Sequence, residues 1–453
     1  MINGKIVLKS FSTMPDYTLL TPEGYATIKQ EETQTDFPIG TIIEADSENA
    51  KQIREIADVK LEKQIRSFIE ANSKPNKPGL LVEDEAMKKF ERRLEEGAAF
   101  VARKLFELTP ASIRFNDDCD GISAGLLVKN SIEAFVREKN IPYPKNFLRN
   151  RQCNSAVYES GEASYDIEEM NAYTYGKRPL LFLLDFGAND ESVQALEKAR
   201  ENFDVITIDH HVYSQKAASL ATVFLNPLEF GGISSHTTGL VAYEFAQRLS
   251  KGERLYALLS MESDKSIYWD KTERKEALVL DYLAGENLSL AKYEKAIEKE
   301  TQFHWLEASN KIKAAFEKAL KKTKETAIAG EDGNAILFTV EMTGVVRKNS
   351  FPPKGKVLNK IQDHFEQANQ MVAGVSFDAN TMQFRVSKAL HAKGFKATKI
   401  IGEVKQEFPQ ISGGGHEQAA AMRFDESIAR AILEKTIALC EKEIAEKIGP
   451  RPV

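Results

Sequence analysis

The chain has 453 residues, of which 42% are hydrophobic and 28% charged, with a formal net charge of -6 and a pI near 5.9. That length exceeds what one hydrophobic core keeps serving, so two or three domains are expected. The acidic balance excludes a globally basic coat for nucleic acid and leaves room only for a local basic groove. No run of about 18 apolar residues is present to cross a membrane, and the start Met1-Ile2-Asn3-Gly4-Lys5-Ile6 lacks the apolar segment of a signal peptide. Cys119, Cys153 and Cys440 stand too far apart for a zinc or redox motif, which fits reduced thiols in a cytoplasmic protein without membrane contact.

Residues 1 to about 47 are rich in Thr, Ile, Tyr and Gly with short alternations such as Lys5-Ile6-Val7-Leu8, which predicts a small β-rich cap. Ser47 to Asn72 reads as helical, Pro75, Pro78 and Gly79 break the pattern, and Glu83 to Leu108 forms a second long helix closed by Thr109-Pro110. Residues 1-110 thus make an N-terminal extension. A series of βα units follows. The short run Ala111 to Phe115 delivers Asn116-Asp117-Asp118-Cys119-Asp120-Gly121 and a helix from Gly121 to Lys139. Tyr143 to Arg151 mixes aromatics with cations as a single-strand groove would, a solvated loop being the plainer reading. Leu180 to Leu184 ends in Asp185-Phe186-Gly187, Asn189-Asp190 caps a helix running to about Asn202, and Phe203 to Ile208 ends in Asp209-His210-His211. The spacing between Asp185 and Asp209 suits one crossover helix and a return strand, hence a parallel sheet.

Beyond Asn226-Pro227 lies the polar stretch Gly231 to Gly239, then a helix from Leu240 to Leu249. An apolar segment from Leu255 to Met261 ends in Glu262-Ser263-Asp264. Residues from about Asn287 to Thr326 are Lys- and Glu-rich with helical periodicity and suit a connector. A second domain is expected from about Gly330, with strands at Ala335 to Val340, Met371 to Phe377 and Gln383 to Val386. The run Ile411 to His416 and a helix from Glu426 to Ile444 close it.

An Asp-Gly after a strand is by itself an ordinary turn. Three acidic strand ends at βα spacing are different, because neighbouring parallel strands bring their carboxyl ends to one place. Such a gathering suits two divalent ions, with Asp118 and Asp120 facing different ions and Asp185, from a separate strand, bridging them. His210 adds a neutral nitrogen that favours Mn²⁺, while the oxygen-rich remainder also accepts Mg²⁺. His211 suits the role of an outer acid or phosphate donor. Ser235 and His236, just before the helix at Leu240, are placed either to contact a phosphate or to cap that helix. Gly413, Gly414 and Gly415 let backbone N–H groups approach an anion beside His416, or form a flexible turn.

The set Asn116-x-Asp118-x-Asp120-Gly121, Asp185-Phe186-Gly187, Asp209-His210-His211, Asp264 and Gly413-Gly414-Gly415-His416-x-x-Ala419-Ala420 resembles the DHH phosphoesterases that carry a DHHA1 domain, and most of all the RecJ-like exonucleases of archaea. The resemblance implies an α/β fold: a parallel-sheet DHH domain at 111-286, a helical connector at 287-329 and a smaller α/β DHHA1 substrate-binding domain at 330-453. It implies a metal-dependent phosphodiesterase hydrolysing single-stranded DNA or RNA with two Mn²⁺ (or Mg²⁺) ions. The implied ligands are Asn116, Asp118, Asp120, Asp185, Asp209, His210 and Asp264, with His211 and Asp209 in catalysis. Substrate contacts fall to Ser235, His236, Arg385, Lys388, Gly413, Gly414, Gly415 and His416. The same family offers alternatives: an oligoribonuclease or cyclic-dinucleotide phosphodiesterase, or a catalytically weak replisome scaffold. Implied partners are therefore single-stranded nucleic acid, short oligonucleotides, or replication proteins of the GINS type. Two departures stand out. Asn116 occupies a place where the family usually has His, a stronger ligand than an amide oxygen, and Ala421 follows the alanine pair where Gly is common.

Overall fold

The structure is a computed structural model that describes residues 1–10, 15–30, 36–153, 155, 157–174, 176–347 and 350–449, apart from the side chain of His416. The chain divides into two compact units, Met1–Thr301 and Gln302–Val453.

The first unit opens with β1 (Ile2–Lys9), β2 (Tyr17–Thr21), β3 (Gly24–Gln30), β4 (Ile42–Ala45), β5 (Asn49–Ala50) and β6 (Ile53–Glu55), ordered β5-β3-β2-β1-β4-β6. Strand β1 serves two neighbours, pairing antiparallel with β4 over Ile2 to Lys5 and with β2 over Lys5 to Lys9, and its register slips between Ile6 and Leu8. Ile6, Tyr17, Leu19, Ile28 and Ile43 form the core with Phe37. The helix expected from Ser47 starts only at α1 (Val59–Asn72), where Asp58 accepts from Leu61 N–H. Residues 49–55 are instead drawn into pairing with β3 and β4, tertiary context overriding their local pattern. The second helix, α2 (Glu85–Phe106), is capped by Asp84, which accepts from Met87 N–H at 2.8 Å.

A parallel sheet follows, built of β7 (Ala111–Asn116), α3 (Cys119–Glu138), β8 (Leu148–Cys153), α4 (Ser160–Asn171), β9 (Leu180–Leu184), α5 (Val193–Arg200), β10 (Asp204–Ile208), α6 (Gln215–Leu220) and β11 (Val223–Leu225). Its order is β11-β10-β9-β7-β8 and every pairing is parallel. Four more helices complete the unit: α7 (Thr238–Leu249), α8 (Arg254–Ser263), α9 (Lys275–Leu283) and α10 (Leu290–Lys295). Leu181, Leu183 and Val205 pack against Ala163 and Met170 of α4 and Ala195, Leu196 and Ala199 of α5. From the other face Phe182 meets Phe245 of α7, and α3 packs on α7 and α8. Burying each of the larger side chains among these contributes about 1.5–3 kcal/mol, which fixes the carboxyl ends of the strands.

Strand β8 takes residues that read as a solvated loop. Its register on β7 is Ala111 with Leu148 through Asn116 with Cys153, and its cations lie against α4: Arg149 pairs with Glu169 at 3.0 Å, and Arg151 sits 3.8 Å from the Tyr165 ring centre. After β7 the chain crosses to one face of the sheet through α3, and after its neighbour β9 to the other through α5. The two loops diverge at that point, leaving a crevice between them of the kind in which open α/β sheets bind ligands.

The second unit opens with α11 (Thr301–Leu320). It continues through β12 (Thr323–Gly330), β13 (Gly333–Glu341), α12 (Lys354–Glu366), β14 (Met371–Phe377), β15 (Thr381–Val386), α13 (Lys388–Ala392), α14 (Ala397–Glu407), β16 (Ser412–His416), β17 (Ala419–Arg423) and α15 (Ala429–Ile448). Its sheet runs β12-β13-β14-β15-β17-β16, with β13 and β14 the parallel pair. Residues 323–326, read as helical, belong to β12. Along β13 the side chains alternate as a pleated strand requires: Ala335 and Leu337 join Ile432, Cys440 and Ile444 of α15, while Ile336, Phe338 and Val340 join Val357, Leu358 and Ile361 of α12. No helix among the described residues is long and apolar enough to cross a membrane.

Candidate metal centre

Four short segments supply the acids at the crevice. Asp118 caps α3, its Oδ1 accepting from Gly121 N–H at 2.9 Å. A Cβ on Gly121 would lie 2.7 Å from the backbone of Asn116, so only glycine permits this tight entry. Asp120, in the first turn of α3, is 1% exposed and is fixed by Thr238 N–H (2.9 Å), Gly239 N–H (2.6 Å) and Ser260 Oγ–H (2.6 Å). Gly239 allows α7 this approach, since a Cβ there would stand 2.4 Å from that of Ser260. Asp185 leaves β9 with φ of 68°, a left-handed conformation that aspartate tolerates better than most residues, and its Oδ1 accepts from Thr238 Oγ1–H at 2.8 Å. Asp264 follows α8, one helical turn beyond Ser260.

His210 is the pivot. Its Nδ1 lies 2.6 Å from the carbonyl of Ser234 and must donate to it, which leaves Nε2 as a bare lone pair. That Nε2 is buried without a hydrogen-bond partner among the described residues. Around it stand Asp185 Oδ1 and Asp264 Oδ2 at 3.5 Å and Asp120 Oδ2 at 3.7 Å. Burial, opposed by Asp120, holds His210 below its ordinary imidazole value, which favours the neutral form that can ligate. His211 is different. It is half exposed, its Nδ1 donates to Asp209 Oδ1 at 2.8 Å, and, although burial opposes it, the bond and charge of Asp209 push it up to about 9. Asp209 Oδ1 also accepts from the N–H groups of His210 (2.7 Å) and His211 (3.1 Å). Burial would raise Asp209, but these two histidines hold it below the usual carboxylate value.

The other acids repel one another. Burial, then Asp120, pushes Asp118 up to about 7. Burial, then Asp118 and Asp120, raises Asp185, and burial followed by Asp120 and Asp118 raises Asp264. Buried carboxylates gathered so closely require either protons or a cation. The orphaned imidazole nitrogen aimed among them suits a cation: two groups, Asp185-His210-His211 and Asp120-His210-Asp264, each have atoms within 4.8 Å of one another that could hold one.

The structure thus brings together Asn116, Asp118, Asp120, Asp185, Asp209, His210, His211 and Asp264. His236 is also near, but it is 1% exposed, with Nδ1 against the backbone of Ile233 and Nε2 2.6 Å from Asp84 Oδ2. Both nitrogens being engaged, it anchors the Ser234–Gly239 segment instead of offering a donor to a substrate. The carbonyl of Ser235 accepts from Ser266. Arg385, Lys388 and the glycine run lie in the second unit. Arg385 is bonded to Asn359 Oδ1 and the carbonyl of Phe384, whereas Lys388 is exposed. Gly413, Gly414 and Gly415 are not a loose turn but exposed residues of β16, at the edge of the sheet. A Cβ on Gly415 would come within 2.7 Å of the Ala419 carbonyl. The side chain of His416 lies outside the described residues.

Sequence reading missed four contributors. Ser260 and Thr238 orient Asp120 and Asp185; the i, i+4 spacing of Ser260 and Asp264 on one helical face was the available signal. Asp281, on α9, accepts from Cys119 N–H at 3.1 Å and raises Asp118 and Asp264 further. Asp84 receives bonds from His236 and from Tyr268. Neither aspartate has a local signature, since one is an acid in a short, mostly apolar helix and the other an ordinary cap.

A parallel α/β unit carries acids and a bare imidazole at its switch point, an arrangement that could hold a metal ion. Residues 113–267 match the model of the DHH family, N-terminal domain. A solved DHH domain, described as coming from a member of a family of ribosomal proteins, superposes with a TM-score of 0.71 at 18% identity, covering 84% of this chain and 98% of its own. RecJ from Thermus thermophilus, solved in complex with Mn²⁺, gives 0.50 at 14% identity over 83% of this chain and 57% of its own. An uncharacterized protein of Methanocaldococcus jannaschii is 22% identical over 86% of this chain. The chain spans 59% of that relative's length.

Proposed function

We propose that this chain is a metal-dependent phosphodiesterase, a RecJ-like exonuclease acting on single-stranded DNA or RNA. The observation that carries the reading is the bare, buried Nε2 of His210 facing Asp120, Asp185 and Asp264. Three carboxylates and one imidazole suit Mn²⁺ and accept Mg²⁺. When bound, the ion supplies Lewis acidity toward a phosphodiester and makes water a better nucleophile near neutral pH.

The chain's own residues do the rest. Thr238, Gly239 and Ser260 hold Asp120 and Asp185 in place, so no reorganisation is needed as charge develops. His211, kept protonated by Asp209 and half exposed, can donate a proton from Nε2 toward a departing or non-bridging oxygen. The glycine edge of β16 presents backbone without Cβ obstruction, suited to gripping a phosphate backbone together with Lys388. A second ion of the pair expected from the sequence would require Asn116 to turn its amide. That residue favours one further reading, a catalytically weak scaffold binding replication proteins.

The test is to incubate the chain and Mn²⁺ with end-labelled single strands of DNA and RNA. Stepwise release of mononucleotides supports the proposal. Cleavage only of oligomers a few nucleotides long would move it to an oligonucleotide phosphodiesterase, and absence of any cleavage with the ion bound would leave the scaffold.

A further inference from the structure

We infer that the centre holds one divalent ion rather than two, because the Asn116 side-chain amide occupies the second place. The inference rests on reading the site as a metal centre and deepens it.

The acids fall into two sets. Around His210 Nε2, the oxygens of Asp120, Asp185 and Asp264 face a buried nitrogen that no group among the described residues satisfies. On the other side the chain satisfies itself. Asn116 Nδ2 donates to Asp118 Oδ2 at 3.1 Å and to Asp185 Oδ2 at 3.2 Å, and the remaining oxygen of Asp118 receives the Gly121 N–H at 2.9 Å. Two carboxylates that would clamp an ion are instead bridged by the two N–H bonds of one neutral amide.

The orientation of that amide follows from chemistry. While both carboxylates are ionised, as ligands must be, the carbonyl end aimed at their oxygens would repel both, so the NH₂ end faces them. Gly121 presses against the Asn116 backbone so closely that a Cβ would not fit, which fixes the backbone from which the amide projects. For an ion to enter between Asp118 and Asp185, the amide must turn, both N–H bonds must break, and a weak carbonyl ligand must replace them. No such rearrangement is needed at His210. An imidazole at position 116 would offer a nitrogen ligand in place of the bridging donors, and Asn116→His is therefore expected to open the second place.

The experiment is Mn²⁺ binding to the metal-stripped full chain by calorimetry, with electron paramagnetic resonance on the same samples. The expected result is one ion per chain with the hyperfine pattern of an isolated Mn²⁺. Asn116→His is expected to bind two, with the exchange-coupled spectrum of ions about 3.5–4 Å apart. Two ions of similar affinity in the unmodified chain would overturn the inference without help from the variant, and so would a well-folded Asn116→His that still binds one. No ion at all would sink the metal-centre reading and this inference together. One ion without cleavage of any nucleic acid would sink the exonuclease proposal and leave this inference standing.

Discussion

The carboxyl ends of the parallel sheet and the glycine edge of the second unit are built on opposite principles. At the first, buried side chains from β7, β9, β10, α7, α8 and α9 hold one another through short hydrogen bonds, and the result is a local excess of negative charge. At the second, Gly413, Gly414 and Gly415 carry no side chains and lie exposed on an edge strand. A site that must hold a cation needs fixed charges from several directions, whereas a surface that grips a phosphate backbone needs access to N–H groups. Substitutions in one region should therefore change ion binding and in the other substrate binding.

The largest expected effect comes from Asp185→Ala. Calorimetry should show Mn²⁺ binding lost and turnover should fall to background, while the metal-free fold melts no lower than the parent, because one of several mutually repelling charges is gone. An unfolded variant would contradict the account of repulsion. Ser260→Ala removes a bond to Asp120 without touching a ligand, and it should weaken Mn²⁺ binding by about 10–100-fold, as loss of a supporting group around a metal does. Gly415→Ala forces β16 away from β17 and should weaken single-strand binding several-fold while Mn²⁺ affinity stays unchanged. Equal losses of ion and strand would merge the two regions into one.

The smallest effect is a pH dependence of opposite sign with and without metal. Asp118, pushed up to about 7, titrates from about 3.9 in the unfolded chain. Its folded value is the higher one, so in chelator the stability it contributes is present below about pH 4 and lost as pH rises through about 7. Excess Mn²⁺ held by the neighbouring Asp120 and Asp185 favours the ionised form of Asp118 through its charge, so the stabilisation given by the ion should grow over the same range. Thermal melts in EDTA and in Mn²⁺ across that range should diverge, and parallel curves would contradict the repulsion argued for the acids.

The acids at strand ends were legible because an apolar run followed by Asp is a signal contained in a few adjacent residues. Asp118, Asp120, Asp185 and Asp209 all have that form. Ser260, Asp281 and Asp84 do not, since each sits in a helix or cap where a polar residue is ordinary, and only packing brings it to the crevice. The missed strand β8 has a related cause: Arg149 and Arg151 imply solvent until α4 supplies Glu169 and an aromatic ring to cover them. The short strands β5 and β6 owe their form to pairing with β3 and β4, which no local window contains. His236 could be placed near the site from sequence, but its role depended on Asp84, which is 152 residues away along the chain.

The central claim is that His210 Nε2, with Asp120, Asp185 and Asp264, binds a divalent ion. Anomalous diffraction from crystals grown with Mn²⁺ tests it most directly. The account predicts a manganese peak bonded to His210 Nε2 and to oxygens of those three aspartates. A structure at saturating Mn²⁺ in which Nε2 stays bare, or in which the ion sits elsewhere, would contradict it.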